Sequence, residues 1–568
     1  MIAFTAEQKF IFKFIQNGDG NGIIDAVAGS GKTTTIMECA QHVDANARLL
    51  FCAFNSSIAN EIASKFRKEG KNKVVVKTMH ALGLQILTSN FPEQKFDLKN
   101  NKYRTLINQD KTRKVLKPFY LKLIELKGYS TKYRSDKEKF AVRNYLYSIN
   151  DKLISINQKF RATLCKNTFD DFKEMVIHFG IFNAIDRSKK TFIECLKSYF
   201  NAHQILLDLG NKLAKNHFLI DFTDMIYLPF IWKIYPARRF DFLFVDECQD
   251  LSKAQLGIAL KYGKKDGRIL AVGDPSQSIY GFTGADIKSF SSVKNIIKGK
   301  QLPLSICFRC PKKVIEIAKQ IRDDITGSKD YDGEVTKVPI DKLPDLIKPG
   351  DLIISRLKDP LMKLVFKLIK SNIKLKVHPD EEEELMNELR KLFKKEELRI
   401  NLHIHFDGIE GLVEVVKRRW EWIIKKNYSH IENFTKRELL IEAEMEFIEE
   451  KLNFLEDGFL AWKEHCKSIL DILKIFKKYI SAKDNAIKLS SIHRAKGLEN
   501  PRVFILNYDQ MPYYRDDQLD WELTQEMNLK YVAVTRAMEQ LFLVESDEID
   551  DTYDDFENEE GSMFDDLF

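Results

Sequence analysis

The sequence predicts an α/β chain built on two parallel sheets, with two mainly helical insertions. Three observations carry this. Short apolar, β-rich runs recur at residues 22–27, 49–54, 73–77, 240–245 and 269–273, each leading into a turn or a helix start, as strands buried on both faces do. A second set at 351–355, 486–492, 502–506 and 541–544 marks a second α/β layer. Between them, 91–216 and 377–484 are rich in Lys, Glu, Leu and Phe at helical spacing with few Gly or Pro, and read as helical insertions.

Composition narrows the class. A chain of 568 residues, 44% hydrophobic and 30% charged, fills more than one core. Its most apolar stretch, 217–235, carries Asp221, Asp224, Pro229 and Lys233, which a membrane span rarely tolerates together, so it reads as buried core. The first residues lack the basic patch, apolar run and cleavage site of a secretory leader. The expected location is therefore cytoplasmic or nucleoid- or nucleus-associated, not secreted and without membrane contact. Eight scattered cysteines are expected as thiols. Cys307 and Cys310 have C-x-x-C spacing, yet no second pair completes a zinc site. His403 and His405, an H-x-H, read as surface residues. Residues 381–384 are an acidic run, expected as the solvated first turn of a helix.

Charge is unevenly spread. Residues 545–568 hold twelve acidic side chains and no Lys or Arg, so the net charge of +7 conceals a strongly basic body, the balance expected of a protein with a polyanionic partner. The tail has too little apolar content to order itself, although it ends in M-F-D-D-L-F.

The octapeptide A-V-A-G-S-G-K-T at 26–33 follows a strand and opens a helix, the arrangement in which a backbone loop cradles nucleotide phosphates. Ala26 stands where the loose pattern has Gly. Gly29 and Gly31 allow the tight turn, Ala28, Ser30 and Thr34 complete the loop, Lys32 supplies a cation, and the Thr33 hydroxyl can hold Mg2+. A second site meets it. In F-L-F-V-D-E-C-Q-D, 242–250, an apolar strand delivers Asp246, placed to hold Mg2+, and Glu247, placed to polarise an attacking water. Together they read as an ATPase, with ATP and Mg2+ as its cofactors. In G-D-P-S-Q-S-I-Y-G-F-T-G-A, 273–285, Gln277 follows another strand and is placed to sense the γ-phosphate.

This order of motifs resembles superfamily 1 DNA helicases of the UvrD/Rep/PcrA type, and C-A-F-N-S-S-I-A at 52–59 looks closest to the F-box DNA helicase branch and to short viral or bacterial relatives. The resemblance covers nearly the whole chain except the tail. It implies a fold of two RecA-like parallel-sheet P-loop domains with two mainly helical insertions: 1–90 and 217–300 form the first ATPase domain with insertion 91–216, and 301–376 and 485–546 the second with insertion 377–484, before a disordered acidic tail, 547–568. F-T-A-E-Q at 4–8 resembles an adenine-reading motif through Gln8. T-M-H at 78–80 and I-D-F-T-D at 220–224 resemble DNA-contacting motifs, implicating Thr78, His80 and Phe222 beside Phe54 and Asn55. In C-F-R-C-P, Arg309 would reach the γ-phosphate, and Phe308 replaces the usual adenine-stacking Tyr, which suffices because stacking needs a π face. S-I-H-R-A-K-G-L-E at 491–499 implies His493 on DNA and Glu499 near the ribose, and Y-V-A-V-T-R-A at 531–537 implies Arg536 as a second arginine finger.

The implied activity is ATP-driven 3′→5′ travel on single-stranded DNA with unwinding at duplex junctions, in repair, recombination or replication. Nucleotide would close the cleft between sheets, and bases would step past Phe54, Phe222 and Phe282. The alternative is a nucleic-acid-triggered ATPase switch in an antiviral defence or viral replication complex, without processive unwinding; an RNA-directed helicase is a third reading, distinguished by dependence on the 2′-OH. Two departures stand out: Phe282 and Thr283 replace a usual Trp and Arg, and Q-E-M-N-L at 525–529 replaces a more cationic segment, which puts local salt bridges in question. The tail is expected to solvate the chain or to dock on a protein partner such as a sliding clamp, a replication protein or a defence protein.

Overall fold

The computed structural model describes residues 3–68, 74–129, 136–182, 187, 190–281, 289–371, 373–405, 408–428, 434–462, 464–482, 486–515 and 518–546. Phe282, Thr283 and the acidic tail at 547–568 lie outside the described residues.

Two six-stranded sheets organise the chain. The first contains β1 (Gly22–Ala26), β2 (Leu49–Ala53), β3 (Val75–Thr78), β4 (Phe240–Val245), β5 (Gly263–Gly273) and β6 (Lys300–Leu304). Their order is β3-β2-β4-β5-β1-β6, and all neighbours are parallel. The second contains β7 (Glu334–Pro339), β8 (Leu352–Ser355), β9 (Leu375–Val377), β10 (Ile487–Ser491), β11 (Asn500–Leu506) and β12 (Ala537–Glu545). It runs β7-β12-β11-β8-β10-β9, again wholly parallel.

The α/β expectation therefore holds, with three strands added. β6, β7 and β9 all lie at sheet edges. An edge strand is covered less completely, so it needs no continuous apolar run and tolerates proline, as K-Q-L-P-L in β6 and E-V-T-K-V-P in β7 do. The central strands β1 and β2 instead bury Ile23, Ile24, Leu50, Phe51 and Cys52 completely. β6 also carries the first sheet to Leu304.

The strand order places the site. β4, β5 and β1 are consecutive neighbours, so their carboxyl ends open at one place, where parallel sheets bind ligands. The second sheet's core includes Leu352, Ile354, Val532 and Tyr531, and it takes in Val27, Ala28 and Ile279 of the first lobe. The lobes thus share apolar packing directly behind the loop that follows β1.

Each insertion has its own support. Helices between β3 and β4 pack Leu116, Leu123, Ile149, Leu153, Ile156 and Leu206 into a separate core. Helices between β9 and β10 bury Leu385, Leu412, Leu455 and Phe476 against Ile353, Ile487 and Phe504 of the second sheet. The acidic run opens the helix Pro379–Lys391, as expected. Its first turn is not simply solvated, however: Glu381 accepts from the Ser491 backbone N–H at 3.0 Å, Asp380 pairs with Arg494, and Glu384 with Lys358 at 2.6 Å. Glu381 and Asp380 fasten the insertion to the end of β10, and Glu384 fastens it to the helix Lys358–Lys370. The stretch 217–235 forms the buried helix Phe222–Ile231, and among the described residues no helix is long and apolar enough to cross a membrane. All eight cysteines are free thiols.

Helix Met79–Asn90 crosses Phe222–Ile231 at Gly83, where an added methyl would lie 2.1 Å from Met225 O. Backbone cannot yield there as a side-chain tip can, so Gly83→Ala is expected to destabilise the fold by about 1–3 kcal/mol, read as a lower thermal unfolding midpoint.

Candidate active site

The loop after β1 turns through two residues with positive φ, Gly29 at 67° and Gly31 at 76°. At Gly29 a side chain is doubly excluded, because a Cβ would sit 2.7 Å from Arg309 Cβ and 3.0 Å from Cys307 Sγ. The loop is held from outside. Phe308 N–H donates to Gly29 O at 2.9 Å, Ala28 N–H donates to the Tyr531 hydroxyl at 3.0 Å, and Ser30 Oγ donates to Val27 O at 2.8 Å. Gly31 caps helix Lys32–Cys39 without a side-chain bond, leaving helix-start N–H groups available to an anion. Lys32 and Thr33 are half-buried at this mouth and Thr34 is exposed. Gln8 approaches from helix Ala6–Asn17, its Nε2 donating to Thr35 Oγ1 at 2.9 Å and its Oε1 accepting from Thr5 N–H at 2.9 Å.

At the end of β4, Asp246 is 1% exposed and accepts from Glu247 N–H at 2.9 Å. Glu247 has a φ of 49°, a costly backbone conformation for a side-chain-bearing residue and one that recurs at functional sites. Gln249 positions its carboxylate: Nε2 donates to Glu247 Oε2 at 2.5 Å while Oε1 accepts from Asp274 N–H at 3.1 Å. Burial, then the neighbouring Glu247 charge, push Asp246 up to about 7. Burial would raise Glu247 as well, but Lys32 and Lys496 hold it below the usual carboxylate range. Lys496 comes from the second lobe; it pairs with Asp250 and donates to Gln277 O at 2.6 Å. Gln277 Nε2 donates to Asp274 Oδ2 at 2.6 Å.

Both candidate arginines face this cluster from the second sheet's side. Arg309 donates to Glu499 Oε2 at 2.7 Å and to Thr535 O at 3.1 Å. Arg536 is buried, with Nε on Val532 O at 2.8 Å and Nη1 on Leu498 O at 3.0 Å. Burial, then Arg309, push it down to about 9. Phe308 is 41% exposed beside the loop.

The candidate polynucleotide residues divide into two groups. Phe222 is 49% exposed and meets His80 edge-on at 5.7 Å between centroids. Its helix is N-capped by Asp221, which Arg161 grips with two bonds of 2.7 and 2.9 Å. Phe54, in contrast, stacks on Tyr280 at 5.9 Å and is half-buried. Asn55 accepts from Ile58 N–H at 2.9 Å and Thr78 from Ala81 N–H at 3.3 Å, so both cap helices. His493 is held down to about 4 by burial and then by Arg356, and its backbone oxygen accepts from the Tyr280 hydroxyl at 3.2 Å.

Segment 525–529 keeps its salt bridge and adds neutral contacts. Glu526 pairs with Arg356, Gln525 accepts from Gly281 N–H at 3.0 Å, and Asn528 donates to Ser278 O at 2.9 Å. The amides of Gln525 and Asn528 bond backbone groups of the segment 278–281. Sequence reasoning assigned no role to Lys496, Gln249, Tyr280 or Tyr531. All four stood inside motifs already singled out, and their partners lie far away in the chain, so no local signal marked them.

Residues 7–298 match the UvrD/REP helicase N-terminal domain, and residues 487–544 match the UvrD-like helicase C-terminal domain. The chain is 22% identical over 661 residues to the ATP-dependent DNA helicase Rep of Buchnera aphidicola subsp. Baizongia pistaciae, covering 95% of this chain and 91% of that protein. It is 23% identical over 327 residues to the ATP-dependent DNA helicase PcrA of Bacillus subtilis, covering 54% of this chain and 38% of that protein. Over 151 residues it is 32% identical to the RecBCD enzyme subunit RecB of the same Buchnera strain, covering 26% of this chain and 12% of that protein.

Tyr531→Phe removes the acceptor of a buried loop N–H. An unpaired buried donor costs about 1–3 kcal/mol, so this variant is expected to show a lower urea midpoint at unchanged slope.

Proposed function

The chain belongs to the UvrD/REP helicase family and is an ATP-dependent DNA helicase, and from that premise we propose that it moves 3′→5′ on single-stranded DNA and opens single-strand/duplex junctions, in repair, recombination or replication. One observation carries the proposal. Lys496 joins Asp250 and Gln277 O in the nucleotide cluster while its ammonium lies 5.2 Å from the centre of the Tyr280 ring, which stacks on Phe54 and bonds to His493 O. A single cation thus links the ATP site to the polynucleotide side.

The residues support a consistent chemistry. Loop N–H groups from Gly29 to Thr34 and Lys32 hold the phosphates, while the Ala28 N–H stays on Tyr531; Gln8 reads adenine and Phe308 stacks on it. Glu247, kept ionised by Lys32 and Lys496, accepts the proton of the attacking water. Gln277 contacts the γ-phosphate. Arg309 exchanges Glu499 for the γ-phosphate, freeing that carboxylate for the ribose, and Arg536 stabilises the charge that develops on transfer. The Thr33 hydroxyl and Asp246 carboxylate fit Mg2+: both are hard oxygen donors, and Asp246 is buried beside a second acid. When bound, Mg2+ neutralises phosphate charge.

Closure around ATP draws the lobes together and hydrolysis removes the charge that held them. Bases pass Phe222 and His80 on the first lobe and His493 on the second. Stacking contributes about 1–3 kcal/mol per base and suits any sequence, so Phe222→Ala is expected to weaken single-stranded DNA binding by that amount in a titration at fixed salt.

The test of the activity is steady-state ATP hydrolysis with single-stranded DNA or RNA of equal length. DNA is expected to stimulate and RNA not to, and Glu247→Gln is expected to lower the stimulated rate by about 10²–10⁴-fold, the worth of a general base. Displacement from 3′-tailed but not 5′-tailed duplexes checks the direction. Hydrolysis indifferent to either polymer contradicts the translocase reading and points to a switch triggered by protein.

A further inference from the structure

Arg322, just beyond helix Lys312–Lys319, is 7% exposed and distributes its donors among three carboxylates. Nη1 meets Asp274 Oδ1 at 3.0 Å, Nη2 meets Asp25 Oδ1 at 2.7 Å, and Nε meets Asp324 Oδ1 at 2.8 Å. Asp25 lies on β1, shortly before the phosphate loop. Asp274 directly follows β5, is completely buried, and accepts from Gln277 Nε2 through its other oxygen at 2.6 Å.

We propose that Arg322 is a positioning residue for ATP hydrolysis, acting through Asp274 on Gln277; this rests on the reading of Gln277 as a γ-phosphate contact. A buried carboxylate without a countercharge takes up a proton. Burial and, more weakly, Glu247 raise Asp274, and Lys32 and then Arg322 oppose the rise; Arg322 bonds the carboxylate directly, and an anionic Asp274 only accepts hydrogen bonds, so it binds the amide nitrogen of Gln277 and leaves Gln277 Oε1 for the cleft. A protonated Asp274 could donate as well, and that orientation would be lost. The planar guanidinium serves several acceptors in one arrangement, which an ammonium does not.

The placement also ties Gln277 to cleft closure. Val314 and Ala318 of helix Lys312–Lys319 pack with Leu352 and Ile354 in the second sheet's core, whereas Asp25 and Asp274 belong to the first lobe. Separation of the lobes withdraws Arg322 from both carboxylates, so Gln277 is oriented only when the cleft is closed.

The test compares DNA-stimulated kcat and KM for ATP in full-length Arg322→Met, Arg322→Lys, Gln277→Ala and the Arg322→Met/Gln277→Ala double variant. Gln277→Ala and Arg322→Met are each expected to lose about tenfold or more in kcat, with KM within about twofold, because a transition-state contact lowers kcat selectively. Arg322→Lys falls between wild type and Arg322→Met. The double variant is no slower than Gln277→Ala, since a residue acting only through Gln277 has nothing left to act on. Multiplied losses, or wild-type kcat in Arg322→Met, overturn the proposal while leaving the role of Gln277 intact. Wild-type kcat in Gln277→Ala overturns the Gln277 reading and the proposal with it. Should Arg322→Met fail to fold, Asp274→Asn serves instead: it keeps the side-chain shape without the charge, is expected to lower kcat equally, and refutes the proposal if it does not.

Discussion

Four carboxylates lie together at the ends of β4 and β5, Asp246, Asp250 and Asp274 buried and Glu247 half-buried, and the cleft depends on how they are balanced. Buried charge persists only with partners. Lys32 of the first lobe supplies one. Lys496 and Arg322, which supply the others, belong with the second lobe's elements. Neither lobe can therefore present its half of the nucleotide site in this form without the other. The neutral contacts of Tyr531 with Ala28, Gln525 with Gly281 and Asn528 with Ser278 reinforce the same interface.

The helix that presents Phe222 rests on a second buried network. Arg161 and Lys102 of the first insertion hold Asp221 and Asp224, which in turn cap the helix that presents Phe222. Removing one member would leave an uncompensated charge in a dry core, a far larger cost than the loss of a surface pair. Phe222 and His80 therefore project from a rigid base. Phe54 differs, because its ring already packs on Tyr280, whose ring also neighbours the Lys496 ammonium.

Much of the fold was legible in the chain. Central strands such as β1, β2 and β4 appear as apolar runs because both faces are covered. The edge strands β6, β7 and β9 lack such runs and were not apparent. Of the candidate residues, the tight turn at Gly29 and Gly31 and the place of Asp246 and Glu247 at a strand end could be read, because each depends on near neighbours in the chain. Asn55 and Thr78 showed the limit of such reading, since each hydroxyl or amide that looked available to a ligand caps a helix. The run beginning at Glu381 showed it again: acids that read as solvated are tied to Ser491 and Lys358.

The sequence alone determined where the chain turns tightly and where most of its apolar strands run, because glycine's access to positive φ and the apolarity of a buried strand are properties of a few consecutive residues. Tertiary structure alone decided the partners. Ala28 and Tyr531 stand 503 positions apart, Asp250 and Lys496 stand 246 apart, and Arg322 lies 297 positions from Asp25. No local pattern encodes those pairings; they exist because two parallel sheets pack with their strand ends facing one cleft, where Asp250, Asp25 and Asp274 find counterions across the gap.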